Sequence, residues 1–565
     1  MALKNQIVSP PVKIPGQPFK VTGLSPLTTA VLVWFVTAIG CISCGHPPAR
    51  RNIFHYNEQS GIATLDPAFA KNQSIIWAVH QLYNTLIQTD DSLRLVPSLA
   101  TRWDISPDQL TYTFHLRRDV YFQDNDAFPG GVGRRMTAAD VVYSFGRLID
   151  PGTASSGAWI FNDRVDPDHP FLAPDDSTFQ LKLRRPFRPI LGILSMQYCS
   201  VIPREVVMKY GKDFRRHPCG TGPFQLVAWE EGQALILKKN PRYFERDSAG
   251  NRLPYLDGIK VTFFEDKATE FLEFEQGRLD FMNDIDASFK DEVLTKEGKL
   301  RRDWQGRIVL DTHPYLNIEY LGILEDTALE MVRQSPLRFR EVRQAINYGI
   351  NRKKMITYLR NSLGIPAVNG FVPAGMPSFD SAAVTGYSYD PGKALSLLRQ
   401  AGYPNGSGLP VLTLLTIPNY AEYATYIAGE LKQIGISVQV ETVQKSLLLE
   451  ETAKSTALFF RGSWIADYPD AENYLSVFYS KNPAPPNYTR YKNPAFDRLY
   501  EASLQENNDT TRFRIDQQAD QLMIRDAPVV PLWYDLAVHF VQPWVRDFHA
   551  NGLNLLELRR TRLVR

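Results

Sequence analysis

The residues able to do covalent or metal chemistry are few in this chain and badly spaced for it. Nine histidines are spread along 565 residues, and none lies three or four positions from another. No helix face can therefore present the paired imidazoles of an HExxH zinc site. A histidine metal site would have to assemble from distant parts of the chain. The chain holds no GxSxG elbow, no GxxxxGK[ST] loop and no GxGxxG turn, so the common nucleophile and phosphate-binding signatures are missing. His115 falls on the polar face of an alternating strand and reads as a surface residue. Gly220-Thr221-Gly222 runs into Pro223-Phe224 instead of a helix start, which makes it a tight structural turn. One charged segment remains, Arg461-Gly462-Ser463-Trp464-Ile465-Ala466-Asp467-Tyr468. On its residues alone it is a strand that ends in a polar turn, Asp467-Tyr468-Pro469-Asp470.

The elements that must position these residues alternate between helix and strand. Ile75, Val79, Leu82 and Leu86 recur at helical spacing between Asn72 and Thr89. Tyr112, Phe114 and Leu116 alternate with polar residues and predict a half-buried strand. Thr137 with Asp140 resembles a capping box that opens a helix through Val141, Phe145 and Leu148. From Val411 to Trp464 the order is strand, helix face (Tyr423, Ile427, Leu431, Ile434), strand (Ile436, Val438, Val440) and strand. That order predicts a parallel pair joined by a right-handed crossover, hence an α/β architecture whose sheet ends form ligand crevices. No repeat of 20–50 residues and no low-complexity linker is found, so the chain reads as two or three intertwined lobes.

Composition narrows the function classes. Hydrophobic residues make up 44% and charged residues 22%, as in soluble globular proteins. Sixty-three basic residues against 61 acidic ones leave a net charge of +2, which offers no broad footprint for nucleic acid. The four arginines between Glu557 and Arg565 read as a solvated terminal strand. The N-terminus differs in kind. Lys4, Lys13 and Lys20 precede an apolar run from Leu27 to Cys44, and no acidic residue occurs in the first 26 positions. Basic, apolar and small residues in that order make a secretory signal, while a run of about 18 residues also reaches the lower limit of a membrane span. Ala38-Ile39-Gly40-Cys41 resembles a lipoprotein cleavage site with Cys41 as the acylated residue, and Cys44 is a second acceptor. Lipoprotein, uncleaved anchor and cleaved signal all place residues 50–565 outside the cytoplasm. In that compartment Cys199 and Cys219 are a candidate disulfide; the alternative is two unpaired buried thiols. A metal site there lacks partners, since His217 is the only nearby imidazole.

Several segments together resemble one family. His217-Pro218-Cys219-Gly220-Thr221-Gly222-Pro223-Phe224 is similar to the HPxGTGPF signature of the large extracytoplasmic solute-binding proteins of peptide/nickel ABC importers. Leu65-Asp66-Pro67, Trp103 with Ser106-Pro107-Asp108, Thr137–Phe145, Asn240–Phe244 and Arg340–Asn351 match further landmarks in the family's order. The resemblance spans nearly the whole chain after residue 52. It implies a three-lobed periplasmic-binding-protein clamp of type II, in the large class with an extra inserted domain. Residues 1–51 would be signal or anchor with a spacer. Residues 52–87, 199–317 and 537–565 would form a discontinuous lobe, 88–198 an inserted lobe, and 318–536 a third. The hinge crossovers would fall near Tyr315–Leu321 and Trp533–His539.

The resemblance also assigns Arg461–Tyr468 to the cleft of oligopeptide-binding members. Asp467 would pair with a peptide's α-ammonium, because closure strips that cation of water and a carboxylate must replace it. Trp464 would form an apolar wall, and the backbone around Ser463 would take up the peptide as an added strand. Arg461 would meet a carboxylate. Ile62 and Ala63, within Ser60–Thr64, would line the cleft through backbone groups. Tyr320, with Tyr315, is either a cleft wall or core packing; Asn487, with Arg490, is either near the cleft or in a surface loop. The implied function is capture of peptides and delivery to an ABC permease and its ATPase subunits by a monomeric, membrane-tethered, non-catalytic receptor. Neither a cofactor nor a metal is implied. The same fold binding an oligosaccharide, a nickel chelate, haem or an opine is the alternative, with a hydrolase or a chaperone behind it.

Overall fold

The computed structural model describes residues 52–565; the anchor run Leu27–Cys44, with Cys41 and Cys44, lies outside the described residues. Among the described residues no helix is long and apolar enough to cross a membrane. The main element is an 11-stranded mixed sheet. Its order is Val438–Thr442, Leu412–Thr416, Phe459–Ile465, Val309–Ile323, Val529–Val541, Phe281–Asn283, Ile53–Asn57, Gly258–Thr262, Ala234–Lys239 and Phe224–Glu230, with Ile365–Pro366 paired to the side of Val529–Val541. The two longest strands, Val309–Ile323 and Val529–Val541, lie antiparallel at the centre and hold the two halves together. Their pairing shifts register between Pro314 and Ile318 and again between Glu319 and Tyr320, the kind of irregularity that bends a strand and re-aims its side chains.

The expected crossover is present. Leu412–Thr416 and Val438–Thr442 pair in parallel, and the helix Ala421–Lys432 between them buries Ile427 and Leu431 against the sheet. A separate four-stranded antiparallel sheet is ordered Ala100–Ile105, Thr111–Leu116, Thr178–Lys182, Phe171–Asp175. Tyr112, Phe114 and Leu116 point into its core as their alternation predicts. The helix Ala138–Ile149 packs Val141, Phe145 and Leu148 there, and Asp140 closes its first turn by accepting from the Thr137 N–H at 2.8 Å. Arg147 of that helix makes a buried ion pair with Asp66 at 2.5 Å. His115 sits at the surface of this sheet beside Asp104, at 2.8 Å.

The glycine turn has a steric cause. A Cβ on Gly220 would stand 2.2 Å from the Leu82 carbonyl oxygen, and one on Gly222 would stand 2.3 Å from the Leu82 carbonyl carbon. The turn therefore seats backbone directly on the end of the helix Gln73–Leu82, and only glycine permits that approach. The disulfide expectation is corrected. Cys199 and Cys219 are both free and buried. The Cys199 thiol lies 3.7 Å from the Ile193 carbonyl, whereas the Cys219 thiol lies 3.4 Å from that of Gln123. The two sulfurs pack against different segments, and burial pushes both thiols far above their ordinary pKa.

Candidate functional site

The strand Phe459–Ile465 carries the segment singled out in the sequence. On one side it pairs antiparallel with Val309–Ile323, from Asn317 opposite Ile465 to Ile323 opposite Phe459. On the other side it meets Leu412–Thr416 at a single position, Leu415 opposite Phe460. From Arg461 to Ile465 that second edge has no strand partner among the described residues. An unpaired strand edge is a ready template for an extended chain, because every second N–H and C=O points outward. Ile465, at its end, is half exposed.

Beyond the strand the chain turns at Ala466, whose N–H donates to the Leu316 carbonyl at 2.9 Å. Asp467 follows, open to solvent. Enough protein surrounds it to thin the water around the carboxylate, and that desolvation raises its pKa above the ordinary aspartate range. The Asn473 amide opposes the shift by donating to Asp467 Oδ2 at 3.4 Å. The same Asn473 accepts from the Trp464 indole N–H at 2.9 Å through its Oδ1. One buried amide thus fixes both the aromatic wall and the carboxylate. No Lys, Arg or His lies within ion-pair distance of Asp467 among the described residues.

The turn beneath Asp467 is held stiffly. Asp470 pairs with Arg512 at 2.7–2.8 Å, both side chains being buried. Glu472 accepts from the Tyr468 and Tyr500 hydroxyls. Residues between 188 and 198 pack close by. Gly192 lies against Tyr468 and Pro469, and the Arg188 N–H donates to the Leu504 carbonyl at 3.1 Å. Tyr198 lies close enough to Asp467 for the carboxylate's charge to disfavour ionisation of the phenol, adding to the upward push of burial.

Arg461 departs from its expected role, while Tyr320 and Asn487 fit the core and loop alternatives. Arg461 is not free to meet a ligand carboxylate. It grips Glu319 with contacts of 2.6–3.1 Å, stacks its guanidinium 3.8 Å over the Tyr420 ring, and leaves only 11% of its side chain exposed. Glu319 is itself buried, and desolvation holds its carboxyl up at about 7 despite the arginine. Tyr320 is core. Its ring packs at 5.0 Å against Phe371 and lies directly under Gly462, where a Cβ would come within 2.5 Å of it. Asn487 is 2% exposed and spends its amide on the Tyr479 and Tyr491 carbonyls while its oxygen accepts from the Tyr491 N–H. Its hydrogen bonds organise a loop. Arg490 likewise donates to Ser455 and to the Ala453 carbonyl.

Ser463 and Trp464 are half-buried on the open-edged strand. Ile62 is buried and Ala63 exposed in an irregular segment, with the Ala63 carbonyl accepting from Arg215 at 3.3 Å. Sequence reasoning missed Asn473 and Tyr198, since neither stands in a recognisable motif. A cavity of about 470 Å³, lined by residues that include Met331, Val411 and Phe459, shares no residue with the Asp467 turn.

Comparison with known proteins identifies the family. Residues 94–486 match the family described as bacterial extracellular solute-binding proteins, family 5 Middle. The chain is 28% identical over 492 residues to heme-binding protein A of Haemophilus influenzae, covering 83% of this chain and 84% of that one. It is 27% identical over 483 residues to the glutathione-binding protein GsiB of Salmonella choleraesuis, covering 84% and 87%. Among solved structures it resembles the ABC transporter-associated periplasmic binding protein DppA of Helicobacter pylori in complex with the peptide STSA, at a TM-score of 0.70 and 26% identity over 91% of this chain and 98% of that one. The α/β architecture is accordingly the type II periplasmic-binding-protein fold. With most of its length matched, the chain belongs to the bacterial extracellular solute-binding proteins of family 5.

Proposed function

We propose that this protein is the substrate-binding receptor of an ABC importer and that it captures peptides by their main chain and free amino terminus. The observation that carries this reading is the open edge from Arg461 to Ile465, which leads to a solvent-accessible carboxylate, Asp467, with no cationic partner among the described residues. An extended peptide adds to such an edge by backbone hydrogen bonds and brings its own ammonium to the carboxylate. The peptide complex of the Helicobacter pylori relative and the glutathione-binding name of another support the same ligand class.

The clamp reading goes with it. Residues 52–87, 199–317 and 537–565 form one lobe, 88–198 an inserted lobe and 318–536 a third, with the two central strands as the hinge. Ligand closes the lobes over Asp467 and is released to the permease. The receptor is non-catalytic and held outside the cytoplasm by a lipid on Cys41 or Cys44, or by the uncleaved apolar run; the intact mass of the mature chain distinguishes these.

Calorimetry with a set of peptides, each free and N-acetylated, tests the binding mode. Affinity for the free forms that collapses on acetylation is the expected result. Haem has no ammonium to block, so tight haem binding with no measurable peptide binding would overturn the reading.

A further inference from the structure

The local spacing of histidines carries no metal motif, yet folding brings three donors together where the two central strands cross. Asp311 and His313 lie two residues apart on Val309–Ile323, and Asp311 stands directly opposite His539 on Val529–Val541. Asp311 Oδ2 is 3.5 Å from His313 Nδ1 and 3.6 Å from His539 Nδ1, and the three donor atoms lie within 4.8 Å of one another. A tetrahedral ion with bonds of about 2.0–2.2 Å holds its donors roughly 3.3–3.6 Å apart, so both distances to the carboxylate already match the edge of such a site.

The outer nitrogens are tied in the way metal-bound imidazoles are. His313 Nε2 faces the Asn551 backbone carbonyl at 3.2 Å, and His539 Nε2 faces Asn554 Oδ1 at 2.9 Å. Both partners are acceptors, which places the ring proton on Nε2 and leaves a lone pair on each Nδ1, aimed at the same carboxylate. His539 is fully buried, packed edge-on against Phe281 and Phe548, and its Nδ1 has no hydrogen-bond partner. Asp311 has no Lys or Arg partner among the described residues and stays part exposed, as does His313, which leaves a path for an ion and a water. Two lone pairs and a carboxylate that converge in this way are a donor set that one cation can bridge.

We propose that Asp311, His313 and His539 form a binding site for one divalent transition-metal ion of the zinc class, which clamps the two central strands together. Imidazole nitrogen with a single carboxylate suits a borderline ion better than Mg²⁺ or Ca²⁺, which require several oxygens. The fourth position is left to water.

The test uses the full chain, free of any affinity tag and stripped with a chelator. Co²⁺ is titrated while visible absorption is followed, and Zn²⁺ is then added to displace it. One equivalent of Co²⁺ with four-coordinate d–d bands, displaced by Zn²⁺, is expected, together with a Zn²⁺-dependent rise in Tm, because an ion that binds only the folded state stabilises it. Orienting partners alone are worth about 10–100-fold in metal affinity. His313→Gln or Asp311→Asn should therefore weaken binding by at least ~100-fold. Both positions are part exposed, so folding should survive, and far-ultraviolet circular dichroism checks that it does. His115→Gln, at a surface His–Asp pair elsewhere, should leave binding unchanged. Absence of saturable Co²⁺ and Zn²⁺ binding, or binding that survives both His313→Gln and Asp311→Asn, would overturn the proposal.

Discussion

Asn473 donates to Asp467 Oδ2 at 3.4 Å while accepting from the Trp464 indole at 2.9 Å, and this shared amide sets the position of the two side chains on which ligand capture is argued to rest. Asp467 has no cationic partner among the described residues and is partly desolvated, which raises its pKa. A raised folded-state pKa means that the ionised carboxylate costs stability at pH above that value, a cost that disappears below the unfolded pKa. A ligand cation beside Asp467 would remove that cost.

Asp467→Asn should therefore separate binding from folding. Affinity for a free-amine peptide is expected to fall by about 30- to 1,000-fold, the ~2–4 kcal/mol typical of a lost desolvated charge pair. The Tm of the unliganded protein at pH 7.5 should stay level or rise slightly, since the desolvated charge is gone. Calorimetry and a thermal melt check the two halves. A variant that loses both together has been unfolded, and that result would speak against the role argued for the carboxylate.

The affinity should also depend on pH in a defined direction. Asp467 protonates at a higher pH than an ordinary aspartate, so free-amine peptides should weaken as the solution is acidified towards that raised value. Binding an ammonium pulls the pKa back down, and protons are released on binding in that window. Calorimetry in two buffers of different ionisation enthalpy detects the release. N-acetylated peptides should show neither effect.

Arg461 and Glu319 make a contrasting pair, with the charge already neutralised inside the protein. Arg461→Met would strand a buried carboxylate, and removal of one partner from such a pair costs roughly 3–5 kcal/mol. A large drop in Tm is expected, greater at pH 8 than at pH 6. Glu319 is held up at about 7 even with its partner, and the variant can escape the unpaired charge by protonating. Arg461→Met with Glu319→Leu should recover much of the loss. Equal destabilisation of the single and double variants would show that packing, not charge, holds this position.

Much of this was legible in advance, and the failures have physical causes. The alternation of Tyr112, Phe114 and Leu116 and the helical spacing of Ile427 and Leu431 located elements, because one buried face imposes its period on the sequence. The glycine pair at 220 and 222 reported a close approach, to Leu82, that any side chain would block. Local pattern does not say which partner a side chain chooses across the sheet. Arg461 on a strand looks the same whether it faces a ligand or, as found, Glu319 two strand positions from Asn317 on its neighbour. Asp311 and His313 are likewise separated from His539 by more than 200 residues along the chain and meet it only through strand register. The cysteines misled because compartment makes a disulfide permissible but does not place two sulfurs together.

That last correction gives its own expectation. Cys199 and Cys219 are buried, with thiols far above their ordinary pKa, so the reactive thiolate is scarce and access is poor. In the folded protein neither should react with a thiol reagent at pH 8, while both should react after unfolding without reductant. Reductant should leave the Tm unchanged, whereas loss of a native disulfide would cost about 2–5 kcal/mol and a clear shift. A reductant-sensitive Tm would reinstate the bond.

Gly462 decides what Tyr320 does. A Cβ at position 462 would come within 2.5 Å of the Tyr320 ring, and the two residues stand opposite each other where Phe459–Ile465 pairs with Val309–Ile323. Gly462→Ala must push a fully packed ring aside, and overpacking of this kind costs about 1–3 kcal/mol. If Tyr320 were a cleft wall, Tyr320→Ala would mainly weaken peptide binding and leave stability intact. As a core residue packed against Phe371, it should instead lose roughly 3–5 kcal/mol of stability on truncation. Pairing the two changes discriminates further, because the space opened by Tyr320→Ala accommodates the new methyl. The cost of Gly462→Ala should then nearly vanish in the Tyr320→Ala background, and denaturant melts of the four proteins measure that coupling.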